Sequence, residues 1–345
     1  MKKKQHSRRS FLIRTGTTII GSTFLPEFLL TKSSFQKSEW ISEPDMPFKL
    51  QEIYCAKVKN RIHVAGGFID MDGTLGVSNH YLIFDPDANT WNHGTPLPEP
   101  RHHPQLVSCA DKLYVIGGYT AESGRNSWIA QSQLWVYQEN ENTWQTLQSA
   151  PKKNGESVSA SIENRIHIVG GRHPRGMTNK TYQDKEDVDT HLIYFPSSNT
   201  WEFGEPALSK RNSAAGALIK GLLYVTGGRN MQTGNVTDLE IYDPKEDKWR
   251  KGAPMPQGQG GLAAAALRGK LYAFGGEFFD NGSGVYSECW CYDPIKDLWS
   301  ASVPMKTPRH GLCATTLNGR IYAIGGAKKA SARETSGTME SITYP

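Results

Sequence analysis

Six tryptophans, Trp40, Trp91, Trp144, Trp201, Trp249 and Trp299, are each followed 26 residues later by a Gly-Gly pair, at 66, 117, 170, 227, 275 and 325. The return from each pair to the next tryptophan runs 25, 27, 31, 22 and 24 residues. One half of the unit is rigid in length and the other elastic, as expected of a strand–turn–strand scaffold alternating with a variable surface loop. A chain of 345 residues would by length alone suggest about two domains, but a repeat sustained throughout predicts one ring of equivalent units.

The rigid half reads as two strands. Four residues before each Gly-Gly stands an aliphatic side chain (Ile62, Leu113, Ile166, Leu223, Leu271, Ile321). One place later comes a ring (His63, Tyr114, His167, Tyr224, Tyr272, Tyr322). Six before stands Asn60, Asp111, Asn164, Gly221, Gly269 or Gly319, residue types that tolerate the positive φ of a tight hairpin. The paired glycines, lacking Cβ, are expected to let rings of neighbouring strands lie against the backbone. The elastic half ends in a second hairpin, as in Ile241-Tyr242-Asp243-Pro244 before Trp249, where Asp-Pro marks the turn.

Four strands per unit at a spacing near 50 residues resembles the kelch repeat, which forms one propeller blade per unit. The resemblance covers residues 38–345 and implies an all-β, six-bladed kelch β-propeller. Trp40 has no Gly-Gly before it, and the last unit has no tryptophan after it, so a strand around Trp40-Ile41 is expected to complete the final blade. The propeller is assigned to 35–345 and an export signal to 1–34.

That signal is read from Lys2-Lys3-Lys4, then Ser7-Arg8-Arg9-Ser10-Phe11-Leu12 and a weakly apolar stretch to Leu30, which resembles a twin-arginine export signal. Arg14, Pro26 and Glu27 interrupt the apolar run that a membrane anchor would need. The expected destination is the periplasm or the medium. Residues 1–34 hold seven Lys/Arg and one Glu, leaving 32 basic against 33 acidic side chains in the remainder. The basic balance of the whole chain therefore gives no reason to expect a nucleic-acid partner. Five cysteines are an odd count, and Cys289 and Cys291, two apart on a strand, read as small buried hydrophobes.

The fixed register allows positions to be compared around the ring. Sixteen residues before the Gly-Gly pairs stand Leu50, Arg101, Asn154, Arg211, Gln259 and Arg309; directly after them stand Phe68, Tyr119, Arg172, Arg229, Glu277 and Ala327. Five arginines, Arg101, Arg172, Arg211, Arg229 and Arg309, and one carboxylate, Glu277, would then ring one mouth, with Tyr119 beside them, suited to an anionic ligand since guanidinium forks bind carboxylates. The family resemblance places this mouth on the face carrying the variable loops. The loop from Arg172 to Thr190 is long enough to act as a lid or partner contact. Asp70–Leu75 matches a phosphatase nucleophile motif but falls in a propeller loop, and Gln183, Asp187 and His191 match the ligand spacing of iron-binding kelch proteins with Gln in place of Glu. Neither carries a metal or cofactor assignment, and none is expected.

Two functions fit this pattern. One is an exported recognition module binding a glycan or a protein on the loop face. The other, by similarity of architecture to bacterial N-acetylneuraminate epimerases, is a periplasmic epimerase or mutarotase of an acidic sugar. On that second reading Arg172, Arg229 and Arg309 would hold the sugar carboxylate, while Glu277 or His310 would move protons.

Overall fold

A computed structural model describes residues 38–122, 127–280 and 282–344; the export segment assigned to 1–34 lies outside them. Among the described residues six antiparallel four-stranded blades form, the first from Tyr54–Val58, Arg61–Ala65, Tyr81–Asp85 and Thr90–His93. The last begins with Cys313–Leu317, Arg320–Ile324 and Met339–Ile342, and its outer strand is Ile41–Glu43, paired Ile41 to Ser341. The N-terminal segment therefore closes the ring. The innermost strand of each blade touches those of the next and the preceding blade.

Backbone conformation explains the rigid half. In five of the hairpins both turn residues have positive φ, as in Ala110-Asp111 and Lys220-Gly221, which matches the right-handed twist of the strands. The Gly-Gly pairs answer a different need from the one expected. Both members take positive φ throughout, and a Cβ on Gly66 would lie 2.5 Å from the Arg101 carbonyl oxygen of the next blade. The second glycine of every pair donates to that same register in its neighbour: Gly67 to Arg101, Gly118 to Asn154, Gly171 to Arg211, Gly228 to Gln259, Gly276 to Arg309 and Gly326 to Leu50. The pairs thus admit backbone, not rings.

The tryptophans make a second belt. Each indole N–H donates to the carbonyl four residues after the preceding tryptophan: Trp91 to Pro44, Trp144 to Thr95, Trp201 to Gln148, Trp249 to Glu205, Trp299 to Ala253 and Trp40 to Val303. These bonds tie the outer strand of each blade to its neighbour. Between the belts the junctions are filled by buried apolar clusters, such as Tyr81, Leu113, Val115 and Trp135 between blades one and two. All five cysteines are free; Cys289 and Cys291 are buried.

Candidate functional site

Three registers converge on the axis at the loop face. Residues directly after Gly-Gly bridge those fifteen before it within the same blade, as in His102 with Tyr119, Asn212 with Arg229 and His310 with Ala327. One step on, fourteen before Gly-Gly, stand Glu52, His103, Glu156, Ser213, Gly261 and Gly311. All six have positive φ, between 49 and 69°. Their backbones are hydrogen-bonded around the axis, with His103 donating to Glu52, Glu52 to Gly311, Gly311 to Gly261, Gly261 to Ser213 and Ser213 to Glu156. Left-handed backbone costs a residue with a Cβ about 1–2 kcal/mol. Two blades use glycine here; four spend that energy to place a polar side chain at the mouth. Strain of this kind concentrates at functional sites.

The first of these side chains, Glu52, accepts from His103 Nε2 at 2.9 Å and lies 3.5 Å from His310 Nδ1. Burial pushes its pKa up, but the two imidazoles outweigh burial and hold it well below the usual carboxylate range. Glu156 accepts from the Tyr119 hydroxyl at 3.0 Å and the Ser213 hydroxyl at 3.1 Å. Burial, then the neighbouring Glu156, pushes the Tyr119 phenol far up, so it stays a neutral donor.

The wall from blades four to six is ionic. Arg229 Nη2 donates to Glu277 Oε1 at 2.6 Å, and Glu277 Oε2 accepts from the Ser331 amide at 2.7 Å. His310 Nε2 faces the carbonyls of Lys329 (3.1 Å) and Ser331 (2.9 Å), while Nδ1 lies 3.5 Å from both Glu52 and Glu277. Nε2 is hydrogen-bonded to the carbonyls, whereas Nδ1 makes no hydrogen bond and faces the two carboxylates at ion-pair distance. Its pKa is accordingly raised, burial being outweighed by Glu52 and Glu277.

The wall from blades one to three is aromatic. His102 stacks on Phe68 at 4.0 Å and beside Tyr119 at 5.2 Å, with Trp128 edge-on at 4.7 Å. Trp128 also meets Tyr182 at 4.9 Å, and Arg172 lies 3.8 Å over the Tyr182 ring. The long loop is a hairpin, Arg172–Pro174 against Lys185–Asp187, with a 3-10 turn at Tyr182–Asp184 that sets Tyr182 there. It is tied to the loop of blade two, since Trp128 N–H donates to the Lys180 carbonyl. Beneath the ring the axis narrows to about 20 Å³ between Glu52, Ser213, Gly261 and Gly311, room for one water. A larger ligand meets the protein from above.

Tyr119, Arg172, Arg229, Glu277 and His310 are all brought to this mouth. Arg101, Arg211 and Arg309 are not, which corrects the expectation that five arginines ring it. They are 0–3% exposed and hold the blades together. Arg211 donates to the carbonyls of Val225, Gly227 and Asp238 and lies 3.4 Å from Glu240. Arg309 donates to Gly325, Thr307, Ala323 and Glu340. Arg101 donates to Glu99 and Gln133 and stacks on Trp135. The mouth therefore sets Arg172 and Arg229 against Glu52, Glu156 and Glu277 and is not a basic ring. Glu52, Glu156 and Ser213 escaped the sequence reading, whereas His102 and His103, as histidines on inter-blade loops, are legible there; a signal existed for the rest, polar residues at a register where other blades carry glycine.

The remaining motifs are structural. Asp70 caps a hairpin turn by accepting from the Gly73 amide at 2.7 Å. Asp187 pairs with Arg172 and Asn212, whereas His191 bonds His167 inside blade three. Among the described residues no cluster of His, Cys, Asp and Glu has the geometry of a metal site, and no helix is long and apolar enough to cross a membrane.

The domain family described as KLHDC2/KLHL20/DRC7 Kelch-repeats matches residues 52–251 and 184–326. Kelch-like protein terF of Aspergillus terreus is 25% identical over 61% of this chain and 47% of its own length. Human Kelch repeat and BTB domain-containing protein 12 is 26% identical over 52% of this chain and 30% of its own length. The chain thus spans less than half the length of these relatives. A solved structure, "Structure of YjhT", superposes with a TM-score of 0.72 at 17% identity, covering 88% of this chain and 95% of that one, a likeness of fold.

Proposed function

Because the chain belongs to the kelch-repeat family, we propose that it is a recognition module that holds a glycan against the loop-face mouth of its propeller. The observation that carries this reading is the pairing of two walls. Flat rings led by Trp128 line one side, with Arg172 lying over Tyr182, and carboxylates and a guanidinium that accept and donate hydrogen bonds in fixed directions line the other. A sugar ring offers a C–H face to the first and hydroxyls to the second, the apolar surface with few placed polar groups that small-molecule sites favour. Arg172 and Arg229 suit a carboxylate on that sugar. Titrating the protein with neutral and acidic monosaccharides while following tryptophan fluorescence tests this: a saturable change abolished by Trp128→Ala is expected. Absence of any response to sugars would sink the glycan and leave a protein partner for this face.

A second reading, an epimerase or mutarotase of an acidic sugar, draws support from the three carboxylates and three imidazoles at the same mouth. NMR anomer exchange on any sugar that binds separates the two, since a pure recognition module leaves the exchange rate unchanged. Export by the twin-arginine route is proposed from residues 7–12 and is tested by replacing Arg8 and Arg9 with Lys and following the chain's compartment.

A further inference from the structure

Two adjacent imidazoles at the mouth do more than line it. His103 Nε2 lies 2.9 Å from Glu52 Oε2, and His103 Nδ1 lies 2.8 Å from His102 Nδ1. The far nitrogen, His102 Nε2, is buried and has no hydrogen-bond partner, although its ring is stacked on Phe68 and walled by Tyr119 and Trp128. A neutral imidazole carries one donor and one acceptor, so with both rings neutral the contacts allow one order. Glu52 accepts from His103 Nε2–H, His103 Nδ1 accepts from His102 Nδ1–H, and His102 Nε2 is left with a bare lone pair.

We propose that Glu52, His103 and His102 form a proton relay whose unpartnered end, His102 Nε2, takes the proton of a ligand hydroxyl. The inference rests on the reading of this mouth as a ligand site. The step balances. The ligand O–H bond breaks and its electron pair stays on oxygen; the proton joins His102 Nε2, and the His102 Nδ1 proton passes to His103 Nδ1. His102 ends neutral as the other tautomer, and His103 ends as an imidazolium facing the Glu52 carboxylate. Returning the proton reverses both transfers.

The surroundings favour charge on the second ring and not on the first. Burial, then His103 and Arg101, hold the His102 pKa well below the ordinary imidazole value, with Glu52 opposing them. The same carboxylate meets both His103 and His310. His310 Nδ1 also makes no hydrogen bond, but it faces the Glu52 and Glu277 carboxylates at 3.5 Å, which favour a proton on it, so the proton-moving role is given to His102 and not to the Glu277–His310 pair.

The test uses the full chain labelled with 15N-histidine and needs no ligand. Imidazole nitrogen shifts followed from neutral to acid pH should show His102 protonated at Nδ1 and bare at Nε2, with His103 protonated at Nε2. On acidification His102 should switch tautomer at the same midpoint at which His103 becomes doubly protonated. Glu52→Gln should lower that midpoint by about one unit or more. A proton on His102 Nε2 at neutral pH, or separate midpoints for the two rings, overturns the relay. The wild-type titration decides this even if the variant fails to fold. Failure of sugars to bind would instead strike the glycan reading and leave these nitrogen shifts as they are.

Discussion

Polar side chains sit deep in this propeller in two regions, the blade interiors and the mouth, and they are used differently. Inside the blades Arg309 meets Glu340 at 2.9 Å and three carbonyls, and His167 meets His191 at 2.8 Å. His63 likewise meets Tyr81 at 2.6 Å. These groups face one another and bind the blade. At the mouth His102 Nε2, Arg172 Nη1 and Arg229 Nε have no partner. The same residue types are scaffold where they pair within one blade and a site where they meet across blades at the axis. Burial alone does not separate the two, since Arg172 and Arg309 are equally hidden.

Acid should break the interior first. Burial holds His63 and His191 at about 4 and His167 at about 3, so each stays neutral in the fold while the unfolded chain takes up a proton near 6.5. Stability from these groups is complete above pH 6.5 and is lost as pH falls toward 4, by several kcal/mol in all. His310 at the mouth has the opposite sign: its raised pKa contributes stability below 6.5 that is lost as pH rises through the raised value. Urea midpoints across pH for the parent and for His167→Gln with His191→Gln measure this. An acid limb unchanged in that double variant would sink the assignment.

Single substitutions sharpen the contrast. Arg309→Met should destabilise by about 3–5 kcal/mol by leaving Glu340 buried without its cation. Adding Glu340→Leu should recover most of that loss, and equal losses in both variants would deny the pairing. At the mouth Arg229→Met should cost less, about 1.5–3 kcal/mol, because Glu277 keeps the Ser331 amide and His310. It should nonetheless weaken acidic-sugar binding tenfold or more. The smallest effect belongs to the belt: Trp40→Phe removes the bond to Val303 and should cost about 1 kcal/mol, with the mouth's histidine signals unmoved.

The fold was legible because it rests on backbone demands that only certain residues meet. Gly-Gly admits the next blade's carbonyl and tryptophan reaches the carbonyl four residues past the preceding tryptophan, so each recurs once in every blade. The mouth was only half legible. Tyr119, Arg172, Arg229, Glu277 and His310 lie at registers that can be counted along the chain, but what each does depends on neighbours from other blades. Nothing in the local sequence announces that Glu52 reaches His103 and His310, or that Arg211 and Arg309 find Glu240 and Glu340. Arginine sixteen before Gly-Gly reads as mouth or scaffold until the facing strand is known.

The composite last blade imposes an order in time. Ser341 Oγ donates to Glu43 Oε1 at 2.6 Å across 298 positions, so the ring cannot shut before residue 341 has been synthesised. Joining points that far apart costs on the order of 5 kcal/mol of chain entropy. A nascent chain carrying five finished blades still has an open seam and an unpaired strand edge. Forced or thermal opening would begin at that same seam, by peeling the short strand Ile41–Glu43 from Met339–Ile342. The durability of the whole ring thus depends on its latest-made joint.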